Sequence, residues 1–214
     1  MPPERGVFLA ETRRLHPEIC RFTSRVFYED RLEPLPGLEA QRVEGPAPFD
    51  GAGLRFVPVA QRGNTNRSDE EVDRIASLVE DLLASGARFH DRNGGVRPIV
   101  PSDVLVVAPY NAQVAALRQR LPRAMPVGTV DKFQGKEAPI VIYSMTSASA
   151  EDAPRGLEFL YSLNRFNVAT SRAQALVVLV ASPELGRVRC KTPRQMQLAN
   201  ALCTYLELSL NAPR

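Results

Sequence analysis

The residue types in this chain exclude most self-contained hydrolytic sites. The one Gly-Lys pair, at residues 135–136, is followed by Glu137, and Val130 stands where a GxxxxGK[ST] phosphate loop needs its first glycine. No apolar run ends in the Asp-Glu pair that would hold Mg²⁺, and neither GxSxG nor HExxH occurs. His16 and His90 are distant in sequence, and the cysteines lack CxxC spacing. We therefore predict no metal site and no complete hydrolytic site within the chain.

Three segments of the chain stand out. The first, residues 8–20, reads F-L-A-E-T-R-R-L-H-P-E-I-C, and F-Y-E-D-R-L follows at residues 27–32. The second, residues 127–137, reads V-G-T-V-D-K-F-Q-G-K-E. The third, residues 163–173, reads L-N-R-F-N-V-A-T-S-R-A. Two of the three segments contain arginine, and a planar, permanently charged guanidinium can bind phosphate oxygens in a bidentate way.

The three segments resemble motifs of superfamily 1 nucleic-acid helicases, in the branch of the nonsense-decay (Upf-type) helicases and their bacterial relatives. Residues 8–32 look like Q-Y-R-M-H-P with its trailing F-Y-x-x-x-L, and residues 127–137 look like motif V, V-D-x-F-Q-G-R-E. Residues 163–173 look like motif VI, L-N-V-A-x-T-R-A, and residues 107–113 match T-P-Y-x-x-Q more weakly. One such match is weak, but three in the family's order across residues 6–182 are specific.

The resemblance implies the second RecA-like domain of an ATP-dependent helicase or translocase. ATP and Mg²⁺ would be held mainly by a first RecA-like domain upstream, so this domain alone would be inactive. Arg14 and Arg172 would be arginine fingers, which neutralise charge on the γ-phosphate during phosphoryl transfer. The other residues that the resemblance places near ATP, the last of them close to the ribose, are Arg13, Gln134, Gly135 and Glu137.

The resemblance also offers contacts to single-stranded DNA or RNA. Tyr110, Thr129 and Ser144 lie near predicted strand ends, and hydroxyls and aromatic rings can hold phosphates and stack on bases. For each of these residues, packing or capping is an equal alternative. The closing segment, residues 190–208, resembles bacterial helicase chains fused to a RecB-like nuclease domain, which would lie upstream.

Four residues depart from the family's pattern. Arg13 stands where relatives often have an aromatic residue, and its guanidinium plane could stack on the adenine in place of that residue. Lys136 replaces the usual arginine of motif V, Ser171 replaces threonine in motif VI, and Gln174 stands where a basic residue is common. Neither predicted finger is lost. Two other classes of function stay open: a passive single-strand-binding module, and a scaffold domain that binds neither nucleotide nor nucleic acid. Salt-sensitive binding without ATPase in the full-length protein would identify the first.

The elements that must position these residues follow from composition and patterning. The chain has 214 residues, is 44% hydrophobic and carries a net charge of +3, which fits one domain over residues 1–214. The mild basic bias is compatible with nucleic acid without proving it. No apolar run is long enough to span a bilayer, and no signal pattern opens the chain, so we expect a cytoplasmic protein with reduced cysteines.

Short apolar runs alternate with amphipathic helices. The runs, at 56–60, 104–108, 127–130, 140–145 and 176–181, are typical of strands covered on both faces. Their alternation with helices predicts an α/β fold with a doubly wound, mostly parallel sheet, RecA-like but without its own phosphate loop. We expect polar residues at the carboxyl ends of these strands to form the binding sites.

Helices are predicted at residues 17–28, 111–121 and 163–173, and after the capping boxes at 68–71 and 192–195. His16, just before Pro17, is expected to cap or buttress the first helix. The apolar residues Met196, Ala199, Cys203 and Leu206 mark the last helix. An irregular connection is predicted over residues 33–54 and a second polar loop over 88–101.

Overall fold

A computed structural model describes residues 8–133 and 135–210. The helices are α1 Pro17–Phe27, α2 Asp69–Ala84, α3 Asn111–Arg120, α4 Gly156–Leu160, α5 Leu163–Thr170 and α6 Pro193–Leu210. The strands are β1 Glu11–Thr12, β2 Glu33–Pro34, β3 Arg42–Glu44, β4 Gly53–Pro58, β5 Arg88–His90, β6 Val96–Pro98, β7 Val104–Val107, β8 Val127–Gly128, β9 Ala138–Ser144 and β10 Ala173–Ala181. Among the described residues, no helix has the length and apolarity needed to cross a membrane.

The centre of the fold is a five-stranded sheet in the order β4-β10-β9-β7-β8, with every pairing parallel. In β10, which lies between β4 and β9, Val178 is paired with Arg55 of β4 and Ile142 of β9. Parallel pairing requires crossover connections, and the helices between the strands supply them. The predicted α/β fold with a doubly wound, mostly parallel sheet is confirmed.

Helices cover both faces of this sheet. On β7, Leu105 and Val107 pack into the core shared with α1, α5 and α6, while Val104 and Val106 pack against α2 and α3. Successive side chains of a strand point to opposite faces, so a strand buried on both faces is apolar at every position. This explains the continuous apolar runs that predicted the strands.

Two predicted irregular segments contain regular structure. The segment predicted as a polar loop at residues 88–101 holds β5 and β6, which join β3 in a three-stranded antiparallel sheet. The predicted irregular connection at 33–54 contains β2 and β3. These strands are two or three residues long, so their sequences are too short to show a periodic pattern.

The buried face of α6 also differs from the sequence prediction. Met196 is 58% exposed and Cys203 is exposed, so these two apolar positions face away from the core. The side chains of α6 that are buried in the core are Leu198, Ala199, Ala201, Leu202, Thr204 and Tyr205. Tyr205 fixes this orientation because its hydroxyl donates to the carbonyl oxygens of Arg55 and Val177.

Candidate functional site

The largest group of predicted ATP-contact residues lines one open cavity of about 530 Å³, here called the arginine cavity. The part of its polar lining used below comes from the residues after β1, from the residue just before β9 and from the turn after α5. The charged and polar side chains that carry the argument are Arg13, Arg14, Glu137 and Ser171. Residues separated by more than a hundred positions in sequence therefore meet on one surface.

Arg14 is held at both ends of its guanidinium. Its Nε donates to Glu137 Oε2 at 2.5 Å, and its Nη1 donates to the Ser171 carbonyl oxygen at 2.9 Å. The side chain of Arg14 is 28% exposed, so the ion pair is open to solvent on one side. Within the part of the chain that the structure describes, Nη2 has no partner. Arg14 is thus oriented and still has donors to offer.

Glu137 joins the first and third motif segments. Its second oxygen accepts a hydrogen bond from Gln174 Nε2 at 2.9 Å. Partial burial acts to raise the pKa of Glu137, but the hydrogen bond and positive charge of Arg14 outweigh it, so the pKa lies below its usual range. The carboxylate therefore stays ionised at neutral pH and positions Arg14.

Arg172 lies close to Arg14 but is not itself part of the cavity lining. It is partly buried at the end of α5, and its Nε donates to the Val168 carbonyl oxygen at 3.2 Å. Burial, followed by the positive charge of Arg14, lowers the pKa of Arg172. Its two terminal nitrogens make no hydrogen bond to any residue that the structure describes. Two guanidinium groups with unused donors thus share one region.

The backbone under Arg14 is fixed by a buried amide that sequence reasoning missed. Gln41 Nε2 donates to the carbonyl oxygen of Arg14 at 2.8 Å and to that of Gln174 at 3.2 Å. His16 adds a backbone bond to the same Gln174 carbonyl, at 2.9 Å. Its Nδ1 accepts from the Glu18 amide at 3.2 Å, so the predicted capping role of His16 is confirmed.

The other residues predicted to contact ATP are not part of the hydrogen-bond network around Arg14 and Glu137. Arg13 is exposed in the cavity lining, and its carbonyl oxygen accepts from Arg92 Nη1 at 3.3 Å. Gly135 is exposed with a φ of 78°, a left-handed conformation that favours glycine at the turn before Glu137. Gln134 lies outside the described residues.

A second group of candidate residues lies at the carboxyl ends of β7 and β8. An open cavity of about 360 Å³, here called the tyrosine groove, is lined by Tyr110, Thr129 and two arginines, Arg155 and Arg165. Parallel strands present their carboxyl ends at one edge of the sheet, where ligands gather. The structure therefore brings Tyr110 and Thr129 together and adds two cations that sequence reasoning had not singled out.

Both of these arginines stack on one phenylalanine. The guanidinium carbons of Arg155 and Arg165 lie 4.1 and 4.4 Å from the centroid of the Phe159 ring. Tyr110 packs against the same ring, with centroids 5.4 Å apart. Arg165 has only a loose ion pair, 3.9 Å from Asp131. The stacking holds the guanidinium planes in place by cation–π attraction and leaves their edges free to donate.

Ser144 lies in a buried network behind the groove and has no exposed surface. Its hydroxyl donates to Glu71 Oε2 at 2.5 Å and accepts from Gln113 Nε2 at 3.0 Å. Glu71 also accepts from the Thr146 amide at 2.9 Å. The nucleic-acid contact predicted for Ser144 has no surface through which to act, so we assign Ser144 a supporting position.

Only one of the two hydrogen bonds of the predicted capping box at the start of α2 is formed, because Glu71 belongs to the buried network around Ser144. The Glu71 amide donates to Ser68 Oγ at 3.1 Å, as predicted. The Ser68 amide, however, donates to Gln113 Oε1 at 2.8 Å, because the Glu71 carboxyl group faces the end of β9. Burial raises the pKa of Glu71 to about 7, against the hydrogen bonds from Ser144, Thr146 and Gln61, which lower it.

Comparison with known proteins identifies the family of this chain. A family model described as an AAA domain matches residues 3–184, so the chain belongs to that family. The chain is 28% identical to the regulator of nonsense transcripts 1 homolog of Arabidopsis thaliana over 211 residues, covering 90% of this chain and 15% of the relative. It is 29% identical to helicase sen1 of Schizosaccharomyces pombe over 185 residues, covering 80% and 10%.

The predicted membership of the Upf-type branch of superfamily 1 helicases is therefore confirmed. The chain spans only a tenth to a seventh of the length of these two relatives. A solved structure, the C-terminal domain of a possible DNA helicase from a Lactobacillus, gives a TM-score of 0.42 at 18% identity over 83% of this chain and 94% of that one. At that score it adds nothing to the fold described above.

Proposed function

We propose that this chain is the second RecA-like motor domain of an ATP-dependent nucleic-acid helicase or translocase. The observation that carries the proposal is the convergence of Arg14, Glu137 and Arg172, from three separate motif segments, beside one open cavity. Arg14 and Arg172 are close enough for the charge of Arg14 to contribute to lowering the pKa of Arg172, and like charges repel. An incoming phosphate would remove that repulsion.

The chemistry needed is charge neutralisation rather than covalent catalysis. In phosphoryl transfer, charge spreads over the γ-phosphate oxygens in the transition state, and arginines stabilise it. Arg14 and Arg172 would supply those donors, and Glu137 with Gln41 would hold Arg14 in place. ATP and Mg²⁺ would be bound mainly by a phosphate loop on another RecA-like domain. Arg13, Gln134 and Gly135 would complete the nucleotide surface.

The tyrosine groove would be this domain's share of the single-strand track. Arg155 and Arg165 would contact phosphates, while Tyr110 and Thr129 contribute surface beside them. ATP binding would close two such domains on each other, and hydrolysis would reopen them, so that the strand is gripped alternately. A nuclease domain upstream stays a prediction from the resemblance of residues 190–208.

The proposal is tested by comparing ATP hydrolysis in the 214-residue chain and in a longer chain that includes an upstream phosphate-loop domain. We expect no turnover by the 214-residue chain and nucleic-acid-stimulated turnover by the longer one. Robust hydrolysis by the 214-residue chain alone would contradict the proposal that the phosphate loop and the arginine fingers lie on separate domains. Oligonucleotide binding by the longer chain without any hydrolysis would favour a passive binding module instead.

A further inference from the structure

A separate group of cations lies at the β8 edge of the five-stranded sheet. An open cavity of about 540 Å³ beside β8 is lined by four of them: Arg118, Arg123, Lys132 and Lys136. We call this surface the edge patch. It shares no lining residue with the arginine cavity or the tyrosine groove. Within the described ranges 8–133 and 135–210, none of the four forms an ion pair with a carboxylate.

Two of these cations are held in position by the edge strand itself. The Val127 carbonyl oxygen accepts from Arg118 Nε at 3.2 Å and Nη2 at 2.9 Å, and from Lys132 Nζ at 3.3 Å. Lys132 folds back across Gly128, where an added Cβ would come within 2.7 Å of the lysine Cδ. Gly128 therefore allows the Lys132 side chain to approach the strand closely. The positive groups of Arg118 and Lys132 both donate to the Val127 carbonyl oxygen.

Protection of the sheet edge explains only part of this arrangement. Charged side chains on an edge strand do discourage pairing with another chain. A carbonyl oxygen has two lone pairs, however, and Arg118 alone can occupy both. The side chains of Arg123 and Lys136 make no hydrogen bond to a described residue, so capping of the edge strand does not account for them. Burial, followed by the charges of Arg118 and Lys136, lowers the pKa of Lys132, which indicates repulsion that an anion would relieve.

The lining indicates which kind of anion fits. The cations come from three separate segments: α3, the loop before β8 and the segment after it. A polynucleotide carries a charge at every residue and can meet them in series. The edge patch has no aromatic side chain, unlike the tyrosine groove, and so offers nothing for a base to stack on.

The edge patch and the tyrosine groove are neighbours across one turn. Asp131 and Lys132 are adjacent in the 3₁₀ turn Val130–Phe133, and Asp131 lines the groove while Lys132 lines the patch. A strand leaving the groove would therefore pass from one surface to the other by crossing that turn. Because the two surfaces adjoin, one nucleic acid would contact both of them. This favours nucleic acid over an unrelated acidic partner as the ligand of the edge patch.

We propose that the edge patch binds the sugar-phosphate backbone of a nucleic acid, outside the segment held in the tyrosine groove and without reading its bases. The inference rests on the proposed function for the presence of a nucleic acid. The edge patch would add a second contact that does not depend on base sequence. This contact would lengthen the bound segment and make the binding affinity more dependent on salt.

The test is fluorescence anisotropy of the 214-residue chain with oligothymidylates of about 6 and about 25 nucleotides, lengths on either side of the ~4–16 nucleotides that a binding domain covers. The double variant Arg123→Gln/Lys132→Gln should bind the long strand about tenfold more weakly, with the short strand unchanged. The salt slope for the long strand should fall by about 1.4, since each single-strand phosphate contact contributes ~0.7. The charge reversal Arg123→Glu/Lys132→Glu should weaken long-strand binding further.

The matched control is Lys191→Gln/Arg194→Gln, which removes the same charge from the start of α6, a helix that packs beside β4 at the opposite edge of the sheet. Equal losses in the control and patch variants would overturn the inference, because only net charge would then matter. Equal weakening of short and long strands would overturn it as well. Tighter binding of poly-glutamate than of the long strand would assign the patch to an acidic protein.

Failure of the inference can be told apart from failure of the proposed function. If Arg165→Gln weakens oligonucleotide binding and the patch variants do not, only the edge patch is wrongly assigned. If the unaltered chain binds neither strand length, the nucleic-acid part of the proposed function fails. Circular dichroism of each variant separates a loss of contact from a loss of fold.

Discussion

The arginine cavity and the tyrosine groove hold their arginines in different ways. In the cavity, the Arg14 guanidinium is fixed by Glu137 and by the Ser171 carbonyl at 2.5 and 2.9 Å. In the groove, Arg155 and Arg165 lie on a phenylalanine ring and have few directed hydrogen bonds. Hydrogen bonds set direction, whereas cation–π contact tolerates sliding and rotation.

This difference suits two tasks. Stabilising a transition state requires donors at fixed positions, since a small displacement forfeits much of the effect. Holding a strand that must advance requires contacts that re-form on each successive phosphate. We therefore expect substitutions in the cavity to reduce turnover sharply and substitutions in the groove to reduce affinity moderately.

The largest effect is expected for Arg172→Ala in a longer chain that hydrolyses ATP. Loss of a finger should lower kcat by about 10³-fold, while binding of ATP changes little. Arg172→Lys should recover part of the rate, because the charge returns without bidentate geometry. Arg187→Ala, which removes an exposed arginine paired with Glu184, is the control. A kcat within threefold of the unaltered enzyme would remove Arg172 from the finger role.

The network behind the groove should respond to pH. Burial raises the pKa of Glu71 from its ordinary 4.5 to about 7, so between these values the folded chain binds more protons than the unfolded chain. The stability contributed by protonated Glu71 is full below about 4.5 and is lost as the pH rises through about 7, by at most ~1.4 kcal/mol per pH unit.

Glu71→Gln should flatten this dependence in urea unfolding followed at pH 4.5 to 8. Glu80→Gln, which changes an exposed carboxylate on the same helix, should retain it. An unchanged slope in Glu71→Gln would show that another group titrates. Glu71 would then not be the group that makes the stability of this buried network depend on pH.

Arg165→Gln should weaken single-strand binding by about tenfold, in the range that loss of one phosphate contact or stacked position gives. Fluorescence anisotropy at several salt concentrations measures the affinity and its salt slope together. Arg194→Gln, with the same charge change on α6, should bind as the unaltered chain does. If Arg165→Gln instead abolished turnover at saturating nucleic acid, the contrast between cavity and groove would break down.

The smallest effect is expected for Glu137→Gln, which keeps an acceptor for Arg14 but removes the charge. A several-fold fall in kcat should follow, because Arg14 is held less firmly while both fingers remain. A matched rise in KM for ATP without loss of kcat would instead indicate the ribose contact that the family resemblance implies. Steady-state kinetics across a range of ATP concentrations distinguishes the two outcomes.

Sequence reasoning predicted the sheet because its strands are buried on both faces. Every residue of Ala138–Ser144 is buried, and such a run is readable without any homologue. It failed for β5 and β6, whose exposed arginine, valine and proline residues pair over only three positions. It also misjudged α6, where apolar residues occur around the helix and the Tyr205 hydrogen bonds select the buried face.

Residues of the site could be predicted from the sequence only where they lie in recognisable motifs. Arg14, Glu137 and Arg172 lie in such motifs, and the structure places them together. Gln41 was missed because it lies in a segment without any motif and acts on backbone carbonyls. Arg155 and Phe159 were missed because stacking on a ring leaves no spacing signal in sequence.

Helix α5 has a consequence for how the two regions communicate. Arg165 is in its first turn, and Arg172 lies two residues after its last residue, Thr170, seven positions after Arg165. One short helix and the turn after it therefore connect a guanidinium of the tyrosine groove with a guanidinium beside the arginine cavity. If α5 and this turn move as a unit, a displacement of Arg172 toward a phosphate would also displace Arg165.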